Sequence, residues 1–450
     1  MAVGREMRKV SLRRWMLVAA RQPRRFVLGA ACAAAVLLPP GPVPAQTLFE
    51  AMLLAYGTNP TLQAERAALR AAAENVSQAL AGSRPTVVLE GGTGAIHRFD
   101  SRTSDSDTPL SAALTVTQPV YRGGRTAAAT RRAENQVRAA RANLVATEQT
   151  VLLSVVRAYL DVLRDEAVVR LSRNNEQVLA RQLQAARDRF EVGEVTRTDV
   201  AQAEARLSRA ASDRIQAEGN LTSSRANYRR PVGAAPGRLA AAPRPTDIPA
   251  SHEEAVQIAL AENPLLAAAR FEEAASRDAV AVSRGSLLPT VSLTGDLTYN
   301  DAQPANVGPE SATLVARVTV PLYQAGAARA RLRQDRQVNA QRRVRVEEIR
   351  RQVVEAVTTA WQRLTTASAR IVSQLEQVRA AELALEGVRQ EAEVGSRTTL
   401  DVLDAEQELL DAQVALVRAQ RDEYVAAFEV KSAIGRLTVA ALGLAPGAQQ

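Results

Sequence analysis

Two stretches of this chain are too long for any compact fold. Residues 125–192 contain neither Gly nor Pro, and residues 327–394 repeat that stretch with one interruption at Gly387. Apolar positions recur every seven residues at Val137, Leu144 and Val151, step by four to Val155, and resume at Val162 and Val169. This spacing marks a helix packed along its whole length against other helices. At about 1.5 Å per residue, each rod reaches roughly 100 Å. Rods of that length bridge a distance rather than enclose a core.

The repeat extends well beyond the rods. Glu191-Val192-Gly193 returns as Glu393-Val394-Gly395, Asp199-Val200 as Asp401-Val402, and Gly233 as Gly435, all 202 residues later. Upstream, Asn59-Pro60 and Pro85-Thr86-Val87 return as Asn263-Pro264 and Pro289-Thr290-Val291 at an offset of 204. A repeat of this length sets the architecture before any single motif does. The chain divides into a leader (1–45), a first repeat (46–249), a second repeat (250–442) and a short tail (443–450).

Each repeat reads the same way. A helical segment broken at Asn-Pro leads to a β-hairpin, a rod, a tip and a return helix. In the first repeat the hairpin spans 84–121, with strands at 84–99 and 110–121 and a polar loop at 100–108 between them. The rod covers 125–192, the tip 193–197, the return helix 198–230 and a Pro-rich linker 231–249. In the second repeat the hairpin spans 287–323, the rod 327–394, the tip 395–399 and the return helix 400–436, and Ser251 caps the repeat's opening helix. Both hairpins run into their rods through Pro-x-Tyr-x-x-Gly, at Pro119, Tyr121 and Gly124 and again at Pro321, Tyr323 and Gly326. Pro stops a ladder, Tyr suits a lipid–water boundary and Gly lets the backbone turn from strand to helix.

The basic composition is misleading. Residues 1–45 hold eight Lys or Arg against one Glu, which accounts for +7 of the formal net charge of +9. The remainder gives no reason to expect a nucleic-acid partner, because scattered Arg on long helices usually forms a solvated face. Residues 1–45 read as a secretory signal: Arg21, Arg24 and Arg25 precede an apolar core at 26–38 and a cleavage site after Ala45. Met16 is an alternative start, Arg13-Arg14 a weak twin-arginine mark, and lipidation at Cys32 is not expected. Since Cys32 is the sole cysteine, cleavage leaves neither disulfide nor thiol chemistry. No later segment is apolar enough to form a spanning helix. Four strands are too few for a barrel, yet open edges cannot exist in lipid, so several copies must close one cylinder; three would give twelve strands and twelve helices.

These duplicated junctions and tips resemble the TolC family of outer-membrane channels, over essentially the whole mature chain. The resemblance implies a mainly α, α+β fold: long antiparallel helical hairpins forming a trimeric α-barrel, with four strands per chain in a 12-stranded transmembrane β-barrel. It implies a homotrimer set in outer-membrane lipid and reaching into the periplasm, which meets a periplasmic adaptor and an inner-membrane transporter in drug efflux or type I secretion. It places the gate at Asp401 and Asp404, and their i, i+3 spacing puts both carboxylates on one helix face. Rings of acid at a mouth favour cations. The plainer reading is that they are helix-start acids near a positive dipole end. The resemblance also implies a tether from Arg397 to Thr198 and Asp199 on a neighbouring tip, and adaptor docking around Val192, Gly193, Val394 and Gly395. Ala392 stands where well-known members carry a tyrosine that helps this tether, so a closed state held less firmly, or by other contacts, is expected.

No catalytic or cofactor site is expected. His97 falls in a strand, His252 beside a helix cap, and Gly91-Gly92-Thr93-Gly94 inside a strand rather than between strand and helix. The competing reading is a secreted periplasmic coiled-coil structural or adaptor protein without a pore. An adaptor would show one hairpin between flanking β domains, whereas here there are two, each preceded by a β pair.

Overall fold

The computed structural model describes residues 45–99, 104–243, 247–301 and 309–443. The leader reading, including Met16, Arg13-Arg14 and Cys32, lies outside the described residues except for Ala45, as does nearly all of the tail. The first repeat is α1 (Leu48–Thr58), α2 (Pro60–Ala81), β1 (Thr86–Thr93), β2 (Ile96–Phe99), β3 (Ser104–Asp107), β4 (Leu110–Tyr121), α3 (Arg125–Glu191) and α4 (Arg197–Val232). The second is α5 (His252–Glu262), α6 (Pro264–Gly285), β5 (Thr290–Asn300), β6 (Glu310–Thr319), α7 (Ala327–Glu393) and α8 (Thr399–Ala433). Both rods are single helices of 67 residues. Val137, Val151, Val155, Val162 and Val169 on the expected stripe are buried, while Leu144 is half-buried.

Local chemistry accounts for the breaks. Asn59 and Asn263 adopt extended backbone, cap the helix that begins at the following Pro, and donate from Nδ2 to the carbonyls of Pro231 (3.0 Å) and Ala433 (2.9 Å). Each Asn-Pro thus starts one helix and is hydrogen-bonded to the end of another. Gly124 and Gly326, at φ 74° and 81°, sit at the rods' N-caps, as the turn from strand to helix requires.

The four main strands form one antiparallel sheet in the order β1-β4-β5-β6. Both hairpins have the same register, Thr86 opposite Thr117 and Thr290 opposite Thr319, while β4 pairs with β5 across the halves. Side chains on paired residues share a face. One face is apolar, with Val87 and Leu89 beside Leu114 and Val116, then Leu297 and Leu314. The other carries Thr86, Thr115, Thr117, Thr294, Asp296 and Thr313, with Thr115 Oγ1 donating to Asp296 at 2.8 Å. The apolar face is bare: Leu89 is 75% and Leu314 72% exposed.

Four expectations need correction. The polar loop at 100–108 is partly β structure, since Ser104–Asp107 pairs with Ile96–Phe99 in a separate ribbon beyond a break at Gly94. Pro119 does not stop its ladder but sits inside β4 opposite Ser292. There β1 pairing has already ended at Thr117 and the register against β5 shifts before Tyr121, so a missing N–H is tolerated. Pro321 behaves as expected, beyond the end of β6. Pro231 belongs to α4 rather than to the linker, because its buried ring and the Asn59 bond hold it there and Gly233 turns the chain instead. Finally, α8 stops at Ala433 instead of 436.

Packing follows from these connections. On the sheet side, α3 lies between α2 and α6, and α6 against α7; on the tip side, α3 lies between α4 and α8, and α8 against α7. Four helices stand abreast at either level. The largest core lies about midway along α3, where Tyr159 and Tyr228 are fully buried with α1 and the ends of α4 and α8. The Tyr159 hydroxyl is 2.8 Å from the Gln46 carbonyl and 2.6 Å from that of Ala240. A smaller core repeats the arrangement around Val353, Val357 and Ile434, with Trp361 packed against it.

Candidate functional site at the hairpin tips

Both tips use one design. Each rod ends at a Val in the C-cap position, Val192 and Val394, followed by Gly193 and Gly395 at φ 79° and 80°. Backbone bonds close the turn, Glu194 N–H to the Arg189 carbonyl at 2.9 Å and Ser396 N–H to that of Glu391 at 2.9 Å. Glycine is needed there because L side chains avoid that backbone. The valines are left in solvent, 72% and 80% exposed.

The return helices start with a capping box. Thr196 pairs reciprocally with Asp199, and Thr398 with Asp401, through 2.8 Å hydroxyl bonds and 2.8–2.9 Å backbone bonds to the carboxylates. Asp401 therefore serves the plainer role of helix-start acid and keeps its charge. The Thr398 backbone and side-chain hydrogen bonds hold its carboxyl below the usual Asp range. Its position on α8 is the first turn, with Asp404 one turn on. Asp404 is not free, since Arg206 of α4 donates to it from the other hairpin. Arg397 donates to Glu391 of its own tip at 2.8 Å, and this pairing raises the guanidinium pKa. The chain itself does not bring Arg397 to Thr198 or Asp199, whose carboxylate is held in its own cap.

Below the tips, Arg187 pairs with Glu204 at 2.6 Å, and the equivalent Arg389 with Glu406. These bonds zip each hairpin. Leu403, 2% exposed, inserts among Leu179, Leu183, Ala186, Ala203 and Ala210, docking the start of α8 onto the first hairpin. Sequence reading missed Arg206 and Leu403. The available signal was a departure from the repeat: Arg206 corresponds to Glu408, and Asp404 to Gln202, at the offset of 202.

At the opposite end, Tyr121 closes β4 opposite Val291 and Tyr323 follows the end of β6, 47% and 87% exposed. Of the two histidines, His97 lies in β2, while His252 starts α5 with Nε2 2.9 Å from Thr358 Oγ1. Among the described residues no helix is long and apolar enough to cross a membrane.

The fold and its repeats agree with comparisons to known proteins. A family model described as outer membrane efflux protein matches residues 53–234 and again 255–436. The outer membrane efflux protein BepC of Brucella suis is 35% identical over 401 residues, 89% of this chain and 87% of that protein. The outer membrane protein TolC of Vibrio cholerae is 30% identical over 407 residues, covering 88% and 92% of the two. In fold alone, the crystal structure of the CmeC outer membrane channel of Campylobacter jejuni aligns with a TM-score of 0.78 at 16% identity, over 86% of this chain and 85% of that one. Two matches to the same family model, spanning both repeats, carry the conclusion: the chain belongs to the outer membrane efflux protein family.

Proposed function

We propose that three copies of the chain form a passive exit duct, whose twelve strands cross the outer membrane and whose twelve helices continue as a tunnel into the periplasm. The observation that carries this reading is a sheet with one apolar face, one polar face and two open edges. A soluble adaptor could not leave that apolar face bare, and lipid does not tolerate the edges unless they close. Apolar-out, polar-in alternation is what a spanning barrel requires. The same borders are open at every level, β6 and α7 on one side, β1, α2 and α4 on the other. A head-to-tail ring covers both at once.

The duplication supplies the register of that closure. Within the chain Thr117 faces Thr294. Moving each by its repeat offset sets Thr319 opposite Glu90 of the partner subunit. Thr319→Cys with Glu90→Cys is expected to give disulfide-linked oligomers under oxidation, seen on non-reducing gels, whereas Thr319→Cys paired with Val88→Cys, two residues out of register, is not. Monomer only in the first case would contradict the closed cylinder.

At the other end, Asp401 supplies one acid per copy to a periplasmic mouth that favours cations. Across copies, a tie from Arg397 to Thr198 or Asp199 competes with the Glu391 pair, and the exposed Val192 and Val394 beside Gly193 and Gly395 offer an apolar edge to a periplasmic adaptor that links the duct to an inner-membrane transporter. Because the folded-state pKa of Asp401 is depressed, its charge persists as pH falls through the ordinary Asp range and is lost only below it. Asp401→Asn is expected to lower the cation-to-anion permeability ratio in planar bilayers, and the wild-type ratio should hold to a pH below the usual carboxylate range. Equal ratios in the two proteins would remove Asp401 from the mouth.

A further inference from the structure

We propose that Arg206 sets both the net charge of the mouth and its resistance to opening, by clasping Asp404 of the same chain. This rests on the reading of the chain as a duct gated at its tips. Arg206 belongs to α4 and Asp404 to α8, so the bond joins two hairpins rather than bracing one. The Arg206 side chain is 27% exposed, its stem laid on the protein while its head reaches the carboxylate. One residue before Asp404, Leu403 is seated in the first hairpin. The α8 tip therefore cannot swing away without losing an ion pair and withdrawing a buried leucine.

The repeat shows that this clasp is not general. In a ring of three copies, α4 and α8 alternate, and α8 of one copy approaches α4 of the next as α4 approaches α8 within the chain. The residues that would meet there by repeat offset are Glu408 and Gln202, which cannot form an ion pair. This clasp therefore holds the seam inside each chain, and the seam between chains is left to the Arg397 tie. Opening the mouth by swinging the α8 tip away from α4 accordingly breaks the clasp in each copy as well as the tie between copies. The clasp also neutralises Asp404, leaving one unpaired acid per copy, Asp401, instead of the two that their spacing suggests.

Conductance and selectivity of the purified full-length protein in planar bilayers test this. An exposed pair shifts an equilibrium by up to about fivefold, so three clasps give a readable change. Arg206→Gln should raise conductance and increase the preference for K+ over Cl−, because Asp404 becomes unpaired. Asp404→Asn should raise conductance too, but move selectivity towards Cl−, because Arg206 is uncovered. A residue with only a structural role would shift both variants the same way. Arg206→Asp with Asp404→Arg should restore the low conductance. Wild-type conductance and selectivity in both single variants, selectivity shifts of the same sign, or failure of the swap to restore closure would each overturn the clasp while leaving the duct intact. A wild-type protein that conducts nothing would overturn the duct itself, and the clasp with it.

Discussion

Leu314→Arg is expected to keep the protein out of the outer membrane, whereas Thr313→Arg, one residue earlier, is expected to insert and alter conductance. Leu314 lies in the middle of β6 opposite Gly295, on the apolar face and 72% exposed; Thr313 lies opposite Asp296 on the polar face. Neither side chain is buried in the single chain, so folding of the chain alone does not separate them. Lipid does. An arginine at mid-membrane on the lipid side costs about 2–4 kcal/mol, and three copies bring this to roughly 6–12 kcal/mol per cylinder. On the lumen side the same arginine stays in water. Membrane fractionation and heat-stable oligomers on gels give the readout. Equal insertion of both variants would mean that the apolar face does not meet lipid.

Gly435→Ala is expected to destabilise the protein by about 3–5 kcal/mol, and Gly233→Ala by only about 1–2 kcal/mol, although the two glycines occupy the same place in the repeat. Both hold a backbone conformation that L side chains rarely adopt, φ 93° and 86°. The difference is in what surrounds them. A Cβ on Gly435 would come within 2.7 Å of the Glu262 carbonyl oxygen, 3.0 Å of its carbon and 3.1 Å of Asn263 Cα, all backbone. On Gly233 the nearest atom is the Thr58 hydroxyl at 3.3 Å, at the end of a side chain that can rotate. The temperature at which oligomers dissociate and the yield of folded protein should rank wild type, Gly233→Ala, then Gly435→Ala. Equal losses would show that backbone strain alone governs both positions.

Much of this architecture is legible in the residues because long-range order here is built from local rules. A run of 67 helical residues without Gly or Pro needs no tertiary information to be recognised, and neither do Asn-Pro helix starts, Gly turns at the tips or alternating strands. Duplication makes each signal count twice, so the two rods, the two hairpins and the need for open borders to close followed from spacing and edge chemistry. The errors fell where a residue's local preference yields to its neighbours. Pro119 stays within a strand because its ladder is already interrupted, Pro231 stays within a helix because Asn59 holds its carbonyl, and part of an apparently polar loop pairs as a ribbon.

The residues alone established that Asp401 and Asp404 share a helix face near a tip. They could not show which of the two is paired with an arginine from the other hairpin, because that depends on α4, some 200 positions earlier in the chain, arriving with Arg206 at bonding distance. Nor could they separate Gly435 from Gly233, whose local sequences call for the same turn, until packing brought the Glu262 backbone against one of them. Helix length, turns and alternation are set by neighbours along the chain, while the pairing of a charge and the room for a methyl group are set by whatever folding carries in from elsewhere.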